Sequence, residues 1–319
     1  MYNENLKKRF LKEQFKTNSA LLEFAAATFE ACEEFEQKWD ADLCTKTADE
    51  LTPMVESLVG LRVRSKWSRI NILRSYVKWC MAIGVRNANG GMLDVDCIGL
   101  GKVRTQMVRS PEHLQRYLDE ICEPESEQTI ENTYRCYYWM AYGGIDEDDI
   151  LTITNADIDF DRKVIHYKGK TIEIYRQAWP AFENALNLKQ FQYKHDGYPK
   201  DKKVYRFRVP GDIVVRGIRS APSKMTMRTE LSRRSKRCLE DGRTTMQLSY
   251  FRVRLSGLFY RMYQEEILEG YVDFNDAATE FMEGKVYKLD SGRNTPEAKK
   301  RQIANDYFQD YQRWKAAFY

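Results

Sequence analysis

The sequence predicts a mainly α-helical protein with a small β-sheet, an α+β fold divided between two domains. Its 319 residues exceed what one ordinary hydrophobic core accommodates. Apolar residues recur at helical spacing through the first hundred positions, whereas residues 157–176 alternate between polar and apolar side chains as a β-hairpin does. We therefore predict a helical domain over residues 1–100 and a mixed α/β domain over residues 108–319.

Local signals place the helices of the first domain. Thr47 and Glu50 form a capping box that begins one helix. A longer helix begins at Ser65 and ends at Gly84, since glycine suits the left-handed position after a helix. Turn-forming residues over 87–102 predict a linker to the second domain.

The second domain is predicted to alternate helices with one hairpin. Ser110 followed by Pro111 is a strong helix start, and Lys168-Gly169-Lys170 forms the turn of the hairpin. Further helices are predicted over 179–193, 225–239, 246–268 and 275–283, and from Thr295 to Tyr319.

Composition excludes several classes of protein. The seven cysteines are scattered without a C-x-x-C pair, and only three histidines are present. This pattern predicts reduced, buried thiols, with no metal site and no cofactor. The charged start of the chain and the lack of a long apolar run predict a cytoplasmic protein without a signal peptide or a membrane partner.

Charge is unevenly distributed along the chain. Residues 198–243 contain fourteen Lys and Arg against five acids, a net charge of +9, although the whole chain carries only +4. Residues 262–283 are markedly acidic. A basic segment of this kind is typical of a surface that binds a polyanion, and a merely solvated basic surface is the alternative.

Two segments resemble the tyrosine recombinases, the phage-integrase family. The run Arg74-Ser-Tyr76-Val-Lys78-Trp79 is similar to the family's core-binding domain. The block from Ala141 to Lys170 is similar to the start of its catalytic domain, where a G-x-R-x-x-E-x-x-x-L turn leads into a lysine-bearing hairpin. The resemblance implies a two-domain clamp whose helical N-terminal and mixed α/β C-terminal domains grip opposite sides of a DNA duplex.

The resemblance also implies a catalytic site, and this sequence departs from it. In the family, two arginines hold the scissile phosphate, a hairpin lysine and histidines move protons, and a tyrosine attacks phosphorus. The first arginine's place falls on Ile145, and the H-x-x-R box falls on a run from Ser249 to Arg252. Losing one such guanidinium costs on the order of 10³–10⁵ in rate, so we predict a degenerate site without catalytic residues. The other corresponding positions are Lys168 or Lys170 for the hairpin lysine, Lys285 for a later histidine, and Tyr307 or Tyr311 for the nucleophile.

A protein that has the two-domain clamp but lacks the recombination chemistry is predicted to bind specific sites on double-stranded DNA. The simplest such function is that of a transcriptional repressor that maintains lysogeny of a phage or prophage. An active integrase with a rearranged site is the alternative, and a protein-interaction module that keeps the fold is another. The C-terminal helix is expected to mediate self-association, and a peptide or protein antagonist is a further possible partner. The predicted DNA-contacting residues are Lys66, Arg69, Arg74, Lys168, Lys170, Arg206, Arg208, Arg216, Arg219, Lys224, Arg228, Arg233, Arg234, Lys236, Arg237, Arg252 and Arg254.

Plainer interpretations stay open for several of these residues. If Ile145 is misaligned, residues 146–149 form an ordinary acidic turn. Arg252 and Arg254 can cover the core with their aliphatic stems, and lysines beside Gly169 can serve solubility alone. The aromatic side chains of the last helix, Tyr307, Tyr311, Trp314 and Phe318, have the spacing of a packing face, which favours packing over catalysis.

Overall fold

The computed structural model describes residues 1–15, 19–58, 63–95, 100–122, 130–193, 203–206, 212–216, 222–282 and 295–319. The chain divides into two compact units. The first unit comprises Met1–Lys102 with Asp273–Ala316, and the second comprises Val103–Val272 with Ala317–Tyr319. Residues Asp273–Ala316 are thus grouped with the N-terminal part of the chain, and the division into 1–100 and 108–319 stays a prediction.

Helices are the only regular secondary structure among the described residues of the first unit. The predicted capping box is confirmed, because the Thr47 N–H donates to Glu50 Oε2 at 2.9 Å and the Glu50 N–H donates to Thr47 Oγ1 at 3.4 Å. Gly84, with a φ of 72°, follows the fourth helix as predicted. The helices are α1 (Glu4–Gln14), α2 (Ser19–Trp39), α3 (Ala48–Leu58), α4 (Val63–Ala82), α5 (Gly91–Asp94), α6 (Leu100–Gln106, shared with the second unit), and later in the chain α13 (Phe274–Met282) and α14 (Pro296–Phe318).

Aromatic side chains from three helices form the centre of this unit. Phe10 of α1, Phe29 of α2 and Tyr76 of α4 are fully buried and meet edge to face, with ring centroids 5.0–5.9 Å apart. Beside them, Lys7 and Glu36 form an ion pair whose side chains are both fully buried. Burial raises the pKa of Glu36 to about 7, against the opposing charge of Lys7.

The second unit combines helices with two small antiparallel sheets. The three strands of the larger sheet lie in chain order, and the predicted hairpin is confirmed by the pairing of Ile165 with Ile172. Lys168 and Gly169 both have positive φ in its turn. The elements are α7 (Pro111–Ile121), α8 (Glu131–Gly143), α9 (Glu147–Ile150), β1 (Ile158–Asp159), β2 (Val164–Tyr167), β3 (Lys170–Glu173), α10 (Trp179–Asn187), β4 (Gln190–Tyr193), β5 (Lys203–Arg206), α11 (Lys224–Glu240) and α12 (Tyr250–Glu269).

Helix α8 is the centre of the second unit, and α12 lies directly against it. Nearly every side chain of α8 is buried. Gly257 makes the close approach possible, because a Cβ at this position would lie only 1.9 Å from the Tyr142 carbonyl oxygen. The backbones of α12 and α8 are therefore in close contact at this point, and this contact helps to position the side chains at the N-terminus of α12.

Three predicted elements differ in the structure. Residues 190–193 form β4, which pairs with β5, rather than the end of a helix. The stretch predicted as a linker, 87–102, contains α5 and the start of α6. Helix α12 begins at Tyr250 rather than 246, because the Ser249 hydroxyl caps it by accepting from the Arg252 N–H.

The α+β part of the fold prediction is confirmed, because the described residues are mostly helical with a small three-stranded antiparallel sheet. The two-domain clamp stays a prediction. The prediction of buried cysteines outside any disulfide is also confirmed where it can be followed, for Cys32, Cys44, Cys80, Cys122, Cys136 and Cys238. Cys97 lies outside the described residues.

Candidate nucleic-acid interface

An acidic turn, residues Asp146–Asp149, organises the cations of the second unit. It directly follows Ile145, the position where the resemblance expects an arginine. Each of its four carboxylates contacts a different cation, and those cations come from the β2–β3 hairpin, from α11 and from α12. The pairs are Asp146 with Arg254 at 2.6 Å, Glu147 with Arg228, Asp148 with Lys224 at 2.6 Å, and Asp149 with Lys168 at 2.8 Å.

The Glu147 pair has the most enclosed carboxylate. Arg228 donates through both Nε and an Nη atom to the two oxygens of Glu147, with 2.7 Å between Nε and Oε1. The Tyr137 hydroxyl donates to Oε1 at 2.6 Å. Glu147 is buried, whereas Arg228 is more than half exposed. The hydrogen bond to Glu147 raises the pKa of Arg228, so the guanidinium is firmly charged.

The Asp149 pair connects the acidic turn to the hairpin. Asp149 accepts from Lys168 and from the Tyr167 hydroxyl. Burial acts to raise the pKa of Asp149, but the hydrogen bonds from Lys168 and Tyr167 outweigh it and hold the pKa below its ordinary value. The hydrogen bond to Asp149, together with one to Tyr167, raises the pKa of Lys168. Lys170, on the other side of the turn glycine, is exposed.

Ile145 belongs to the hydrophobic core. Its side chain is fully buried, and its carbonyl oxygen accepts from the Tyr250 hydroxyl at 2.8 Å. An aliphatic side chain in this place offers no donor to a phosphate. The acidic turn that follows it is not merely a solvated loop, because all four carboxylates are paired.

Ser249 and Arg252 lie at the N-terminus of α12, on a groove of about 530 Å³. Ser249 is an exposed helix cap, and Arg252 is half-buried with its guanidinium carbon 5.8 Å from the centre of the Phe251 ring. Arg228 lines the same groove. Two guanidinium groups and a helix N-terminus thus face one concave surface, a combination suited to an anion.

The outer face of α11 carries a second set of cations, Arg233, Lys236 and Arg237, which we call the outer α11 cations. All three are exposed. Arg233 pairs with Glu230 at 3.0 Å and Lys236 with Glu240 at 3.8 Å, both within the same helix. Lys236 and Glu240 are both largely exposed, and such a pair contributes only about 0–1 kcal/mol to stability. Lys236 can therefore exchange its partner for phosphate at small cost.

Arg234 corrects one prediction on this helix. It is predicted to contact DNA, but it is only 14% exposed and contacts the buried carboxylate of Glu131 at 2.5 Å. Its guanidinium also lies 4.8 Å from the centre of the Tyr134 ring and pairs with Glu230 at 2.9 Å. Arg234 therefore fastens α11 to α8.

Arg216 corrects another. Its side chain is 4% exposed and donates to the carbonyl oxygens of Ala185 and Leu188, the latter at 2.8 Å. Burial lowers the pKa of Arg216. This arginine holds the end of α10 and is not available to DNA.

The predicted α4 cations are also less open than expected. Arg69 donates to the Leu58 carbonyl oxygen at 3.3 Å, and Arg74 donates to the Val95 carbonyl oxygen at 3.2 Å. Both side chains are half-buried. Other predicted positions lie outside the described residues: the side chains of Lys66 and Arg206, and the whole of Arg208, Arg219 and Lys285.

The candidate nucleophiles Tyr307 and Tyr311 lie on the part of α14 that belongs to the first unit. Tyr307 is 8% exposed and Tyr311 is fully buried. The Tyr311 ring lies 5.6 Å from that of Phe274 and 6.1 Å from that of Trp314. The prediction that these aromatic residues pack is confirmed.

Sequence reasoning missed the partners of the cations. Neither Glu131 nor Tyr137 is among the predicted site residues, and the four acids are predicted only as an ordinary turn, the alternative to the site. Four consecutive acids after a glycine pair were the available signal. No metal-binding cluster of His, Cys, Asp and Glu occurs among the described residues.

Residues 1–82 match a family model. Its description is MrpR, N-terminal core-binding domain. This is a domain of the tyrosine-recombinase type, which agrees with the resemblance carried by the run from Arg74 to Trp79. No curated protein matches the chain significantly. In the part of the chain that the structure describes, no helix is both long and apolar enough to cross a bilayer.

Proposed function

We propose that this protein binds specific sites on double-stranded DNA as a transcriptional repressor and does not recombine DNA. The observation that carries the proposal is the exposed row of outer α11 cations on a unit that also holds Arg228 and Arg252 on one groove. Phosphate contacts by such cations supply affinity, and side chains in the grooves of the duplex supply sequence selectivity. The core-binding match over residues 1–82 supports a DNA partner.

Three features support a loss of chemistry. Ile145 is a core residue, so the position offers no guanidinium to a phosphate. The Ser249 hydroxyl accepts from the backbone of its own helix and has no ring nitrogen to move a proton. Tyr307 and Tyr311 are both buried, and the Tyr311 ring packs against those of Phe274 and Trp314, so a nucleophilic hydroxyl would be covered. Each of these residues lies at a position that corresponds to a catalytic residue of the recombinase family, and each has a structural role instead.

The finer part of the proposal is a repressor that maintains lysogeny. A recombinase-like clamp without chemistry resembles the master repressor of SPβ-like Bacillus prophages, which is understood to have this fold and no recombinase activity. On this proposal the promoters it occupies belong to lytic genes, and a peptide or protein antagonist releases it. Self-association through α14 belongs to the same proposal.

An occupancy map tests the repressor function. Immunoprecipitation of DNA bound in cells should yield a few strong sites that share a sequence motif and lie at promoters, and a reporter behind such a promoter should be silenced by the protein. Occupancy without a shared motif would contradict specific binding. A complete lack of DNA recovery, together with unchanged reporter silencing, would favour a protein-interaction module instead.

A covalent-adduct assay tests the recombinase alternative. The protein is incubated with a recovered site that carries a suicide nick, and adducts are separated under denaturing conditions. We expect no adduct for the natural sequence. An adduct that disappears in Tyr307→Phe or Tyr311→Phe would overturn the non-enzymatic assignment.

A further inference from the structure

The acidic turn neutralises four of the residues that sequence patterns assign to DNA contact. Lys168, Lys224, Arg228 and Arg254 lie on three different elements, yet the carboxylates of one four-residue segment contact them all. A cluster of cations that converges on one anionic segment is the arrangement that a DNA phosphate backbone would also require. The turn and the backbone therefore compete for the same cations.

The four pairs differ in how easily they can open. Lys224 and Asp148 are 43% and 73% exposed, and Lys168 is 62% exposed. Arg254 is 24% exposed and its partner Asp146 is 42% exposed. Water and salt screen such pairs, so their cations can move to another anion at small cost. Glu147 is different, because its carboxylate is buried and would keep only the Tyr137 hydroxyl as a donor if Arg228 left.

We propose that Asp146, Asp148 and Asp149 act as an autoinhibitory counter-anion for Arg254, Lys224 and Lys168. In the free protein the three carboxylates occupy the cations, and in a DNA complex phosphate oxygens replace them. Because these ion pairs must be broken before phosphates can bind, the affinity for every duplex is lowered by a similar factor. Only a site that also makes good contacts in the DNA grooves compensates for this loss. The turn thereby reduces binding to non-specific DNA. This inference rests on the proposed DNA-binding function.

The test compares two triple variants with equal charge change. The turn variant carries Asp146→Asn, Asp148→Asn and Asp149→Asn, and keeps Glu147 so that Arg228 stays paired. The control variant carries Asp161→Asn, Glu173→Gln and Glu183→Gln, which neutralise three exposed acids elsewhere in the second unit. Circular dichroism and thermal unfolding establish that both variants fold. Fluorescence anisotropy with a labelled duplex of mixed sequence measures affinity over a range of KCl concentrations.

We expect the turn variant to bind mixed-sequence DNA on the order of tenfold more tightly than the control variant, since each exposed pair contributes a factor of a few. The slope of log affinity against log salt should steepen by about 0.9 for each cation that becomes available to a phosphate. Equal affinity and equal slope for the two variants would overturn the autoinhibitory role while leaving DNA binding intact. If no variant, nor the natural protein, binds DNA in a salt-dependent way, the proposed function itself fails.

Discussion

The two faces of α11 carry similar cations but have different neighbours. Lys224 and Arg228 face the acidic turn, and Arg234 contacts the buried Glu131, so these side chains are paired with other elements. Two of the outer α11 cations, Arg233 and Lys236, pair instead with acids of their own helix, Glu230 and Glu240. A charge count over residues 198–243 cannot separate the two sets. The difference teaches that the availability of a cation depends on what lies opposite it in the fold.

The largest loss of stability should come from breaking the ion pair between Arg234 of α11 and the buried Glu131. Arg234→Met leaves the Glu131 carboxylate buried without its cation, which we expect to lower the free energy of unfolding by about 3–5 kcal/mol. Lys236→Met, on the outer face of the same helix, should change it by less than about 0.5 kcal/mol. Urea denaturation of both variants measures the contrast. Similar stabilities for the two would show that Arg234 is not the fastening residue.

A smaller loss is expected at the acidic turn. Arg228→Met removes the bidentate partner of Glu147 but leaves the Tyr137 hydroxyl as a donor. Because Arg228 is more than half exposed, the loss should be only about 1–2 kcal/mol. Arg233→Met is the matched variant on the outer face and should be nearly neutral. Thermal unfolding compares the pair, and a neutral Arg228→Met would mean that the Glu147 fork contributes nothing to the fold.

Ser249 occupies the position where the recombinase family has a histidine, and its hydroxyl caps α12. Substitutions at Ser249 test whether this hydroxyl stabilises the fold. Ser249→Ala removes the cap of α12 and should cost about 1 kcal/mol, whereas Ser249→Asp should retain most of the stability. The measurement is the urea midpoint of each variant. A fully stable Ser249→Ala would leave the serine without the structural role assigned to it.

The smallest expected effect concerns pH. The pKa of Asp149 lies below its ordinary value, so its carboxylate stays ionised until the pH falls well into the acid range. A carboxylate with a lowered folded-state pKa stabilises its pair above the ordinary pKa of about 3.9 and loses that contribution as the pH falls through the lower value. The affinity difference between the turn variant and its control should therefore be constant between about pH 8 and pH 5.5. A difference that closes within this window would show that another titrating group governs the turn.

Much of the fold could be predicted because its signals are local. The capping box at Thr47, the helix start at Ser110 and the hairpin around Gly169 each depend on a few adjacent residues, and all three are confirmed. Strand β4 was missed because the prediction extends the preceding helix to Tyr193, although the residues from Gln190 to Tyr193 alternate polar and apolar side chains as a strand does.

The candidate site was harder to predict for the same reason. Its residue types were identified, but their pairing is a tertiary property. Nothing near Arg216 in sequence shows that its guanidinium donates to carbonyl oxygens at the end of α10, and nothing near Arg234 indicates Glu131. Ile145 is the exception. Its aliphatic character is evident in the sequence, and its buried side chain agrees with that observation.

The central claim is that the outer α11 cations contact DNA phosphates. The most direct test is the salt dependence of duplex binding for the natural protein and for Arg233→Ala, Lys236→Ala and Arg237→Ala combined. A variant with Arg162→Ala, Arg176→Ala and Lys189→Ala, three exposed cations elsewhere in the second unit, is the control for lost positive charge. We expect the slope of log affinity against log salt to fall by roughly 2–3 in the α11 variant, and affinity to fall by a similar factor for every sequence, with little change in the control. An unchanged slope in the α11 variant would contradict the claim.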